Sequence, residues 1–221
     1  MNAAIAIFVK TPGLSPIKTR LGVSHGRNAA EAWHRRASAC VQATARATGL
    51  PVYWAVAEAE GMQHDMWQDM PRLSQGEGGL GRRMAAVHAE LVQRHGAGIL
   101  IGADLPQIEA RHLRTAARWL DADEPRHVLG PAHDGGFWLF GANRTKATAA
   151  WESVRYSRND TAREFIKAID AAAWEMLEAM TDLDQAEDLP AVLRELQAIQ
   201  APTECQRRLT LWLEQRIAQA A

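Results

Sequence analysis

The stretch "GILIGAD" (residues 98–104) decides the fold of this 221-residue chain. Its unbroken apolar run predicts a strand that is buried on both faces, and such strands are typical of parallel sheets. The run ends at Asp104, and the nearby Pro106 prevents the strand from continuing. A carboxylate therefore stands directly after a strand that we expect at the centre of a sheet.

Strands and helices alternate on either side of this strand. The predicted strands cover residues 3–9, 51–57, 98–104, 127–131 and 137–141. The predicted helices cover residues 27–48, 79–95, 108–121, 159–173 and 203–218. This alternation predicts an α/β fold, a three-layer α/β/α sandwich with a mostly parallel sheet. No linker divides the chain, so we expect a single domain over residues 1–221, with a more helical subregion from about residue 150.

Composition and charge argue against several classes of partner. Hydrophobic residues make up 47% of the chain, charged residues 23%, and the net charge is −1. These values are ordinary for a globular protein and give no electrostatic sign of a nucleic acid or a membrane as partner. The first apolar run, "MNAAIAIFVK", has no basic segment before it and is too short for a signal sequence or a membrane span, so we expect a cytoplasmic protein.

The two cysteines give no sign of a metal site. Cys40 and Cys205 lie far apart in the sequence, without the spacing of metal ligands. Cys40 falls on a predicted helix, where a small buried residue is the ordinary interpretation.

Charged residues follow three of the predicted strands. Lys10, Asp104 and Asp134 each come soon after an apolar run. In parallel α/β sheets, ligands bind beyond the carboxyl ends of the strands. The coincidence predicts a binding site along this edge of the sheet.

The loop "KTPGLSPIKTRLG" (residues 10–22) places three cations close together: Lys10, Lys18 and Arg20. Its prolines fix the course of the chain, and its glycine permits a tight turn. Arginine forks and lysine point charges suit a di- or triphosphate. Neither the P-loop pattern nor the dinucleotide-binding glycine pattern is present. A solvated cationic loop is the alternative interpretation.

The stretch "SQGEGGLGRRM" (residues 74–84) is rich in glycine and leads into a predicted helix. Backbone amides at a helix N-terminus favour anions. We expect Gln75 and Gly76 to contact the nucleotide, Gln75 at a base or sugar edge. A flexible surface loop is the alternative interpretation.

Two acids are candidates for a metal site. Asp104, beside a phosphate site, is a natural ligand for Mg²⁺ or Mn²⁺, which are held by one or two carboxylates plus substrate phosphates. Capping of the helix that follows is the alternative. Asp134 lies about one crossover unit further on, and we expect it to face Asp104 over adjacent strand ends. Gly135 and Gly136 would leave room for a sugar or phosphate against the main chain.

Other residues of the stretch "LGPAHDGGFWLFG" (residues 129–141) have more ordinary interpretations. His133 is expected to be a hydrogen-bonded neighbour of Asp134 rather than a ligand or a base. Trp138 is expected to pack in the core, with lining of the ligand pocket as the alternative.

Five ordered stretches of the chain resemble the motifs of one bacterial family. They are "VKTPGLSPIKTRL" (9–21), "QGEGGLGRRM" (75–84), "LIGADLPQI" (100–108), "LGPAHDGGFWLFG" (129–141) and "TDLDQAEDL" (181–189). The resemblance is to the bacterial glycosyltransferase family associated with radical-SAM and selenium domains. Its relatives are nucleotidyltransferases that guanylylate the molybdenum cofactor or phospholactate.

The resemblance implies a GT-A fold, the Rossmann-like sandwich of nucleotide-diphospho-sugar transferases. It implies that Lys10, Lys18 and Arg20 hold the nucleotide phosphates, with Lys18 also catalytic. It places Asp104 at the divalent metal and Asp134 at the metal or the sugar, with a catalytic role.

The chain departs from the family pattern at two places. Ser15, followed by Pro16, stands where a glycine is common. "ADL" replaces an Asp-x-Asp pair, so that turn supplies one acid. In the last motif, the spacing of Asp184 and Glu187 predicts a capping box, and an approach of Asp182 and Asp184 to a metal is the alternative.

The sequence thus predicts a metal-dependent transferase with a nucleotide-activated donor and a small-molecule acceptor. Glycosyl transfer from a nucleotide-diphospho-sugar is the first hypothesis, and it rests on the family resemblance alone. A guanylyl- or cytidylyl-type nucleotidyltransferase that releases pyrophosphate is the second. A catalytically weak nucleotide-binding module, with the helix at 203–218 docking a partner, is the third. A homodimer is left open.

Overall fold

The computed structural model describes residues 2–220, and its centre is one sheet of seven strands in the order β3-β2-β1-β4-β6-β5-β7. The strands are β1 (Ala3–Val9), β2 (Val52–Val56), β3 (Arg72–Ser74), β4 (Ala97–Gly102), β5 (His127–Pro131), β6 (Phe137–Ala142) and β7 (Trp174–Met176). All pairs of neighbouring strands are parallel except the two that β6 makes, which are antiparallel. The α/β fold with a mostly parallel sheet is confirmed.

Helices cover both faces of the sheet. They are α1 (Thr19–His25), α2 (Arg27–Arg46), α3 (Leu80–His95), α4 (Ala110–Leu120), α5 (Thr148–Glu152), α6 (Thr161–Ile169), α7 (Leu189–Ala198) and α8 (Glu204–Ala220). Short 3-10 helices cover Glu60–Gln63, Asp65–Trp67 and Ala186–Asp188. Four of the five predicted helices are confirmed to within a few residues. The fifth, over 159–173, is shorter than predicted, because Asp170 adopts a left-handed conformation with φ 45° and ends α6.

The side chains of β1 and β4 explain the layering. Ile5, Ile7 and Ile99 point to one face and pack with residues of α2 and α4. Ala4, Ala6 and Leu100 point to the other face and pack with residues of α3, α5 and α6. Successive strand residues alternate between faces, so a strand that is apolar throughout needs helices on both sides.

A third apolar cluster joins α2 to the C-terminal helices α7 and α8. It is built around Trp33, Val192 and Leu213. Cys40 is fully buried there, as predicted, and Cys205 packs against the same cluster. Burial and a hydrogen bond with Cys205 raise the pKa of the Cys40 thiol, so the two cysteines are neighbours in the fold despite their distance in the sequence.

The expectation that Asp104 and Asp134 stand over adjacent strand ends is wrong. The chain turns back after β5, and β6 inserts between β4 and β5, pairing with both. Alternating strand and helix signals do not give the direction of a strand, and the hairpin turn at 132–136 reverses it. In the part of the chain that the structure describes, no helix is both long and apolar enough to span a membrane.

Candidate active site

The carboxyl ends of β1, β3, β4 and β5 border a groove with two chambers. The first chamber has a volume of 530 Å³, and Lys10, Lys18 and Asp104 are among its lining residues. The second has a volume of 440 Å³ and includes Asp134 in its wall. The two chambers share the lining residues Arg20, Leu80, Ser157, Asp182 and Asp184. They are therefore two parts of one groove.

A buried ammonium group lies at the centre of the first chamber. Lys18 Nζ is 2.8 Å from Asp182 Oδ1, 3.1 Å from Asp184 Oδ1 and 3.4 Å from Asp104 Oδ2. The Lys18 side chain is only 6% exposed. Burial lowers the pKa of Lys18, but the three carboxylates more than offset this and hold it above its usual value. The lysine is therefore charged in the folded protein.

The backbone of Lys18 is held in an unusual conformation. Lys18 directly precedes α1 and has φ 43° and ψ 51°, the left-handed region that residues with a side chain rarely adopt. Such a conformation persists when its surroundings over-determine it. Here the three carboxylates fix the far end of the side chain.

His34 was missed by the sequence analysis. It lies on α2 and is buried, with Nδ1 3.0 Å from Asp104 Oδ1 and Nε2 3.0 Å from the carbonyl oxygen of Lys10. The two contacts hold the ring between the Asp104 carboxylate and the backbone that follows β1. The available signal was a histidine within the buried stripe of α2, where a satisfied core residue is the ordinary interpretation.

These contacts stabilise the ionised form of Asp104. Burial raises the pKa of this carboxyl, but the charge of Lys18 and the hydrogen bond from His34 outweigh burial and hold it well below its usual value. Asp104 does not cap α4. The capping box of that helix is formed by Glu109 and His112, so the capping alternative for Asp104 is wrong.

Asp182 and Asp184 face Lys18. The capping box in this segment is formed by Gln185 and Asp188, and Asp188 Oδ2 accepts hydrogen bonds from the backbone N–H groups of Asp184 and Gln185. The predicted capping box of Asp184 and Glu187 is therefore wrong by one residue. Burial raises the pKa of Asp182 to about 6, against the lowering effect of Lys18.

A clip of three residues, Gln107, Thr181 and Glu195, joins the two acid-bearing segments. Glu195 on α7 accepts hydrogen bonds from the backbone N–H and the hydroxyl of Thr181, the residue before Asp182. Gln107 Nε2 donates to Glu195 Oε2 and to the carbonyl oxygen of Thr181. The clip thus fixes the segment after β4 against the segment that carries Asp182.

The other predicted phosphate ligands differ in their surroundings. Lys10 is exposed and lines the first chamber, and Arg20 lines both chambers, with Nη1 3.5 Å from Asp184 Oδ2. Leu80, the first residue of α3, also lines both chambers. The first turn of that helix therefore lies at the groove, where its free amides favour an anion.

Gln75 and Gly76 serve the backbone of the protein itself. The Gln75 side chain is buried, and its Nε2 donates to the carbonyl oxygens of Val9 and Ala55. Its amide donors hold β1 and β2 together, and a contact of Gln75 with the nucleotide stays a prediction. The Gly76 N–H donates to the Ser74 hydroxyl, and a role of Gly76 in binding stays a prediction.

Asp134 lines the second chamber. It is exposed, and its Oδ1 accepts a hydrogen bond from the Gly136 N–H at 2.9 Å. Trp138 is buried in the core and also lines this chamber, while its Nε1 donates to the carbonyl oxygen of Glu178. His133, beside Asp134, is exposed.

Gly135 has no room for a side chain because of the protein's own backbone, whereas the prediction was that it leaves room for a sugar or phosphate. Its φ is 90°, and an added Cβ would lie 2.0 Å from the carbonyl oxygen of Asn159. The Ala162 N–H donates to the Gly135 carbonyl oxygen, so the chain before α6 fills this space. Gly136 lines the second chamber. A ligand contact at Gly135 stays a prediction.

The donor set of the first chamber fits a divalent cation bound together with phosphate. Within residues 2–220, no three ligand-type side chains form a ready-made metal centre. Lys18 Nζ occupies the point on which the three carboxylates converge. Mg²⁺ is usually held by one or two carboxylates plus substrate phosphates rather than by an all-protein cage, and Asp104 and Asp182 are suited to that role.

Solved structures of known proteins share this architecture. A protein of Desulfovibrio desulfuricans G20, provisionally named a nucleotide-diphospho-sugar transferase, superposes with a TM-score of 0.78 at 20% identity, covering 97% of each chain. A 4-diphosphocytidyl-2C-methyl-D-erythritol synthase of Anaerococcus prevotii has a TM-score of 0.52 at 10% identity, covering 87% of this chain and 97% of its own. A CMP:2-keto-3-deoxy-manno-octonic acid synthetase complexed with CTP has a TM-score of 0.50 at 14% identity, covering 89% and 97%. At these identities the likeness establishes the fold.

Sequence comparison gives the family. No curated protein matches the chain significantly. Residues 38–158, more than half of the chain, match the family described as "Uncharacterized protein conserved in bacteria (DUF2064)". The chain therefore belongs to the DUF2064 family of bacterial proteins.

Proposed function

We propose that the protein is a metal-dependent transferase that binds a nucleotide-activated donor in the first chamber and a small-molecule acceptor in the second. One observation carries the proposal: cations and carboxylates from four separate segments, namely residues 10–20, Asp104, Asp134 and residues 182–184, line one groove at the carboxyl edge of the sheet. Ligands bind at this edge in open α/β sheets. The names of the similar solved proteins, a nucleotide-diphospho-sugar transferase and two cytidyl-type enzymes, support the same class.

The donor's phosphates would lie among Lys10, Lys18, Arg20 and the start of α3. Mg²⁺ or Mn²⁺ would be held by Asp104, with Asp182 as the nearer second acid. When bound, the ion supplies electrostatic stabilisation of the charge that develops on the leaving phosphate. The cations of the loop between β1 and α1 act in the same direction, because they are positioned before the donor arrives.

Asp134 would act on the acceptor or the donor's sugar. Its carboxylate is exposed in the second chamber, and the hydrogen bond from Gly136 leaves Oδ2 for an acceptor hydroxyl. A carboxylate in this place can remove the proton of an attacking hydroxyl. The predicted role of Asp134 as a second metal ligand is retained as a proposal that the variants described in the Discussion test.

Glycosyl transfer remains the first candidate reaction. It rests on the resemblance to the glycosyltransferases associated with radical-SAM and selenium domains and on the name of the most similar structure described above. Nucleotidyl transfer, of guanylyl or cytidylyl type, is the second, and the names of the two cytidyl-type enzymes favour it. A nucleotide-binding module without turnover is the third. We further propose one domain over residues 1–221 and a cytoplasmic location, with a homodimer left open.

The experiment is thermal unfolding against nucleoside triphosphates, diphosphates and nucleotide sugars, each with and without Mg²⁺ or Mn²⁺. A ligand at about one hundred times its Kd stabilises a protein by roughly 2.7 kcal/mol. A metal-dependent rise in Tm with one nucleotide sugar supports glycosyl transfer and names the donor. A rise with a triphosphate alone supports nucleotidyl transfer. No rise with any of these ligands, from folded protein, would overturn the proposed function.

A further inference from the structure

We propose that Lys18 is a built-in counter-ion that occupies the cation position among Asp104, Asp182 and Asp184 until a donor with its own phosphates arrives. The inference rests on the proposed function for the identity of the ligand. It adds an order of binding, in which the divalent ion alone binds weakly and the ion with the donor binds well.

The geometry of the ammonium group carries the inference. Its nitrogen lies 2.8, 3.1 and 3.4 Å from oxygens of three different aspartates. These aspartates come from two distant segments, the turn after β4 and residues 182–184. They converge on one point, and the lysine is the group at that point.

The surrounding residues hold the ammonium group of Lys18 at this point. The Lys18 side chain is 6% exposed, whereas its neighbour Arg20 is 67% exposed and contacts one of the three acids, Asp184. The backbone at Lys18 is held in the left-handed region, which residues with a side chain rarely adopt. The clip of Gln107, Thr181 and Glu195 holds the two acid-bearing segments at the spacing that the ammonium bridges.

The consequence for metal binding follows from charge. A divalent ion that enters this position displaces a cation that is already hydrogen-bonded, or else binds next to it against its repulsion. A donor's phosphates change the balance, because they supply further oxygen ligands to the ion and an anionic partner for the displaced ammonium. Lys18 thereby pairs with the three aspartates when no donor is bound and with the donor's phosphates when the donor is bound.

The first test is Mn²⁺ binding without nucleotide, measured by calorimetry and by the rise in Tm. We expect the folded Lys18→Met variant to bind Mn²⁺ at least about tenfold more tightly than the wild type, a difference of about 1.4 kcal/mol. Lys10→Met is the matched control, since Lys10 lines the same chamber but makes none of the three contacts, and its Mn²⁺ affinity should equal that of the wild type. Lys18→Arg, which keeps the charge, should bind Mn²⁺ as weakly as the wild type.

A second variant covers the case in which three uncompensated carboxylates prevent folding. Lys18→Met with Asp184→Asn removes one positive and one negative charge and leaves Asp104 and Asp182 for the ion. The tight binding should disappear from either variant when Asp104→Asn is added, which locates the ion.

Mn²⁺ affinity in the folded Lys18→Met variants that is no higher than in the wild type would overturn the inference. Equal gains in Lys10→Met and Lys18→Met would also overturn it, since a general change of charge would then explain the binding. The Mn²⁺ measurement contains no nucleotide, so its result does not depend on the identity of the donor. Tight Mn²⁺ binding by Lys18→Met in a protein that no nucleotide stabilises would support the counter-ion and refute the proposed function.

Discussion

The two chambers of the groove differ in how their charges are partnered. In the first, Asp104 already has Lys18 and His34 as partners, and the clip fixes the segments that carry the acids. In the second, Asp134 is exposed and hydrogen-bonded to its own turn, beside apolar residues such as Phe137. The first chamber is thus organised before any ligand binds, whereas the second depends on its ligand to supply a partner.

The difference assigns the chambers to different parts of the reaction. Preorganised charges reduce the reorganisation needed when phosphate charge develops, which suits the donor. An exposed carboxylate beside apolar walls such as Phe137 and Trp138 orients a small molecule with few contacts, which suits an acceptor. Variants of one acid from each chamber should therefore have different effects.

The largest effect is expected from Asp104→Asn compared with Asp134→Asn. Asp104→Asn should abolish the metal-dependent rise in Tm with the donor and lower turnover by about 10²–10³, the usual size for loss of one stabilising group at a developing charge. Asp134→Asn should keep the rise in Tm and lose turnover with the acceptor. Both are measured by thermal unfolding and by product formation. Loss of the metal-dependent rise in Asp134→Asn would show instead that the predicted metal role of Asp134 is right.

The next effect concerns the wall of the second chamber. Gly135→Ala places a Cβ against the Asn159 backbone in a left-handed conformation. We expect a loss of about 3 kcal/mol, from roughly 1–2 for the backbone and 1–3 for overpacking, and a fall in Tm of about 6–12 °C.

Gly76→Ala is the matched control for Gly135→Ala. Gly76 also has a positive φ, of 73°, but nothing lies within 4 Å of an added Cβ. Its loss of stability should be only about 1–2 kcal/mol, the backbone cost alone. Equal losses of unfolding free energy in the two variants would show that the Asn159 backbone moves aside at little cost and that this wall is not rigid.

The core beneath the C-terminal half of the sheet should make stability depend on pH. Burial lowers the pKa of His88 to about 4, and burial with the nearby charge of Lys146 lowers the pKa of His127 to about 4. The unfolded chain therefore binds protons at higher pH than the folded protein, so the free energy of unfolding falls as the pH drops from about 6.5 to 4. Each histidine should lower the free energy of unfolding by on the order of 1–2 kcal/mol as the pH falls from 7 to 5.

One carboxyl in the groove acts in the opposite direction. Asp182 has a raised pKa of about 6, so the folded protein binds a proton at this carboxyl at a higher pH than the unfolded chain does. Its protonation therefore offsets part of the stability that the two histidines remove at acidic pH. His127→Phe keeps an aromatic ring beside Phe140 and Trp174 and removes one titrating group. Denaturant unfolding at several pH values should show less than half the wild-type pH dependence in this variant, because the Asp182 offset remains while one of the two histidine losses is gone. An unchanged pH dependence would show that His127 does not titrate with a lowered pKa.

The sequence predicted the central strands and the edge at which the site lies, because fully apolar runs and the charges after them are local signals. It could not give the position of β6, since strand direction depends on a turn and on pairing with residues about forty positions away. The edge strands β3 and β7 are three residues each, too short for a periodic pattern. His34 and the ion pairs of Lys18 depend on contacts between segments up to 166 residues apart, and a local pattern does not record such contacts.

The smallest effect is expected at the clip that joins the two acid-bearing segments. Glu195→Gln keeps the shape of the side chain but removes the charge that accepts hydrogen bonds from Thr181 and Gln107. Loss of such bonds costs about 1–2 kcal/mol, or roughly 2–8 °C in Tm. The exposed Glu187→Gln serves as the control and should change stability by less than about 0.5 kcal/mol.

The same variant separates the two chambers by their ligands. Because the clip sets the spacing around Lys18 and does not contact Asp134, Glu195→Gln should weaken donor binding without changing the apparent affinity for the acceptor. Equal weakening of donor and acceptor binding would show that the two chambers are mechanically coupled, and the contrast between a preorganised and an open chamber would then fail.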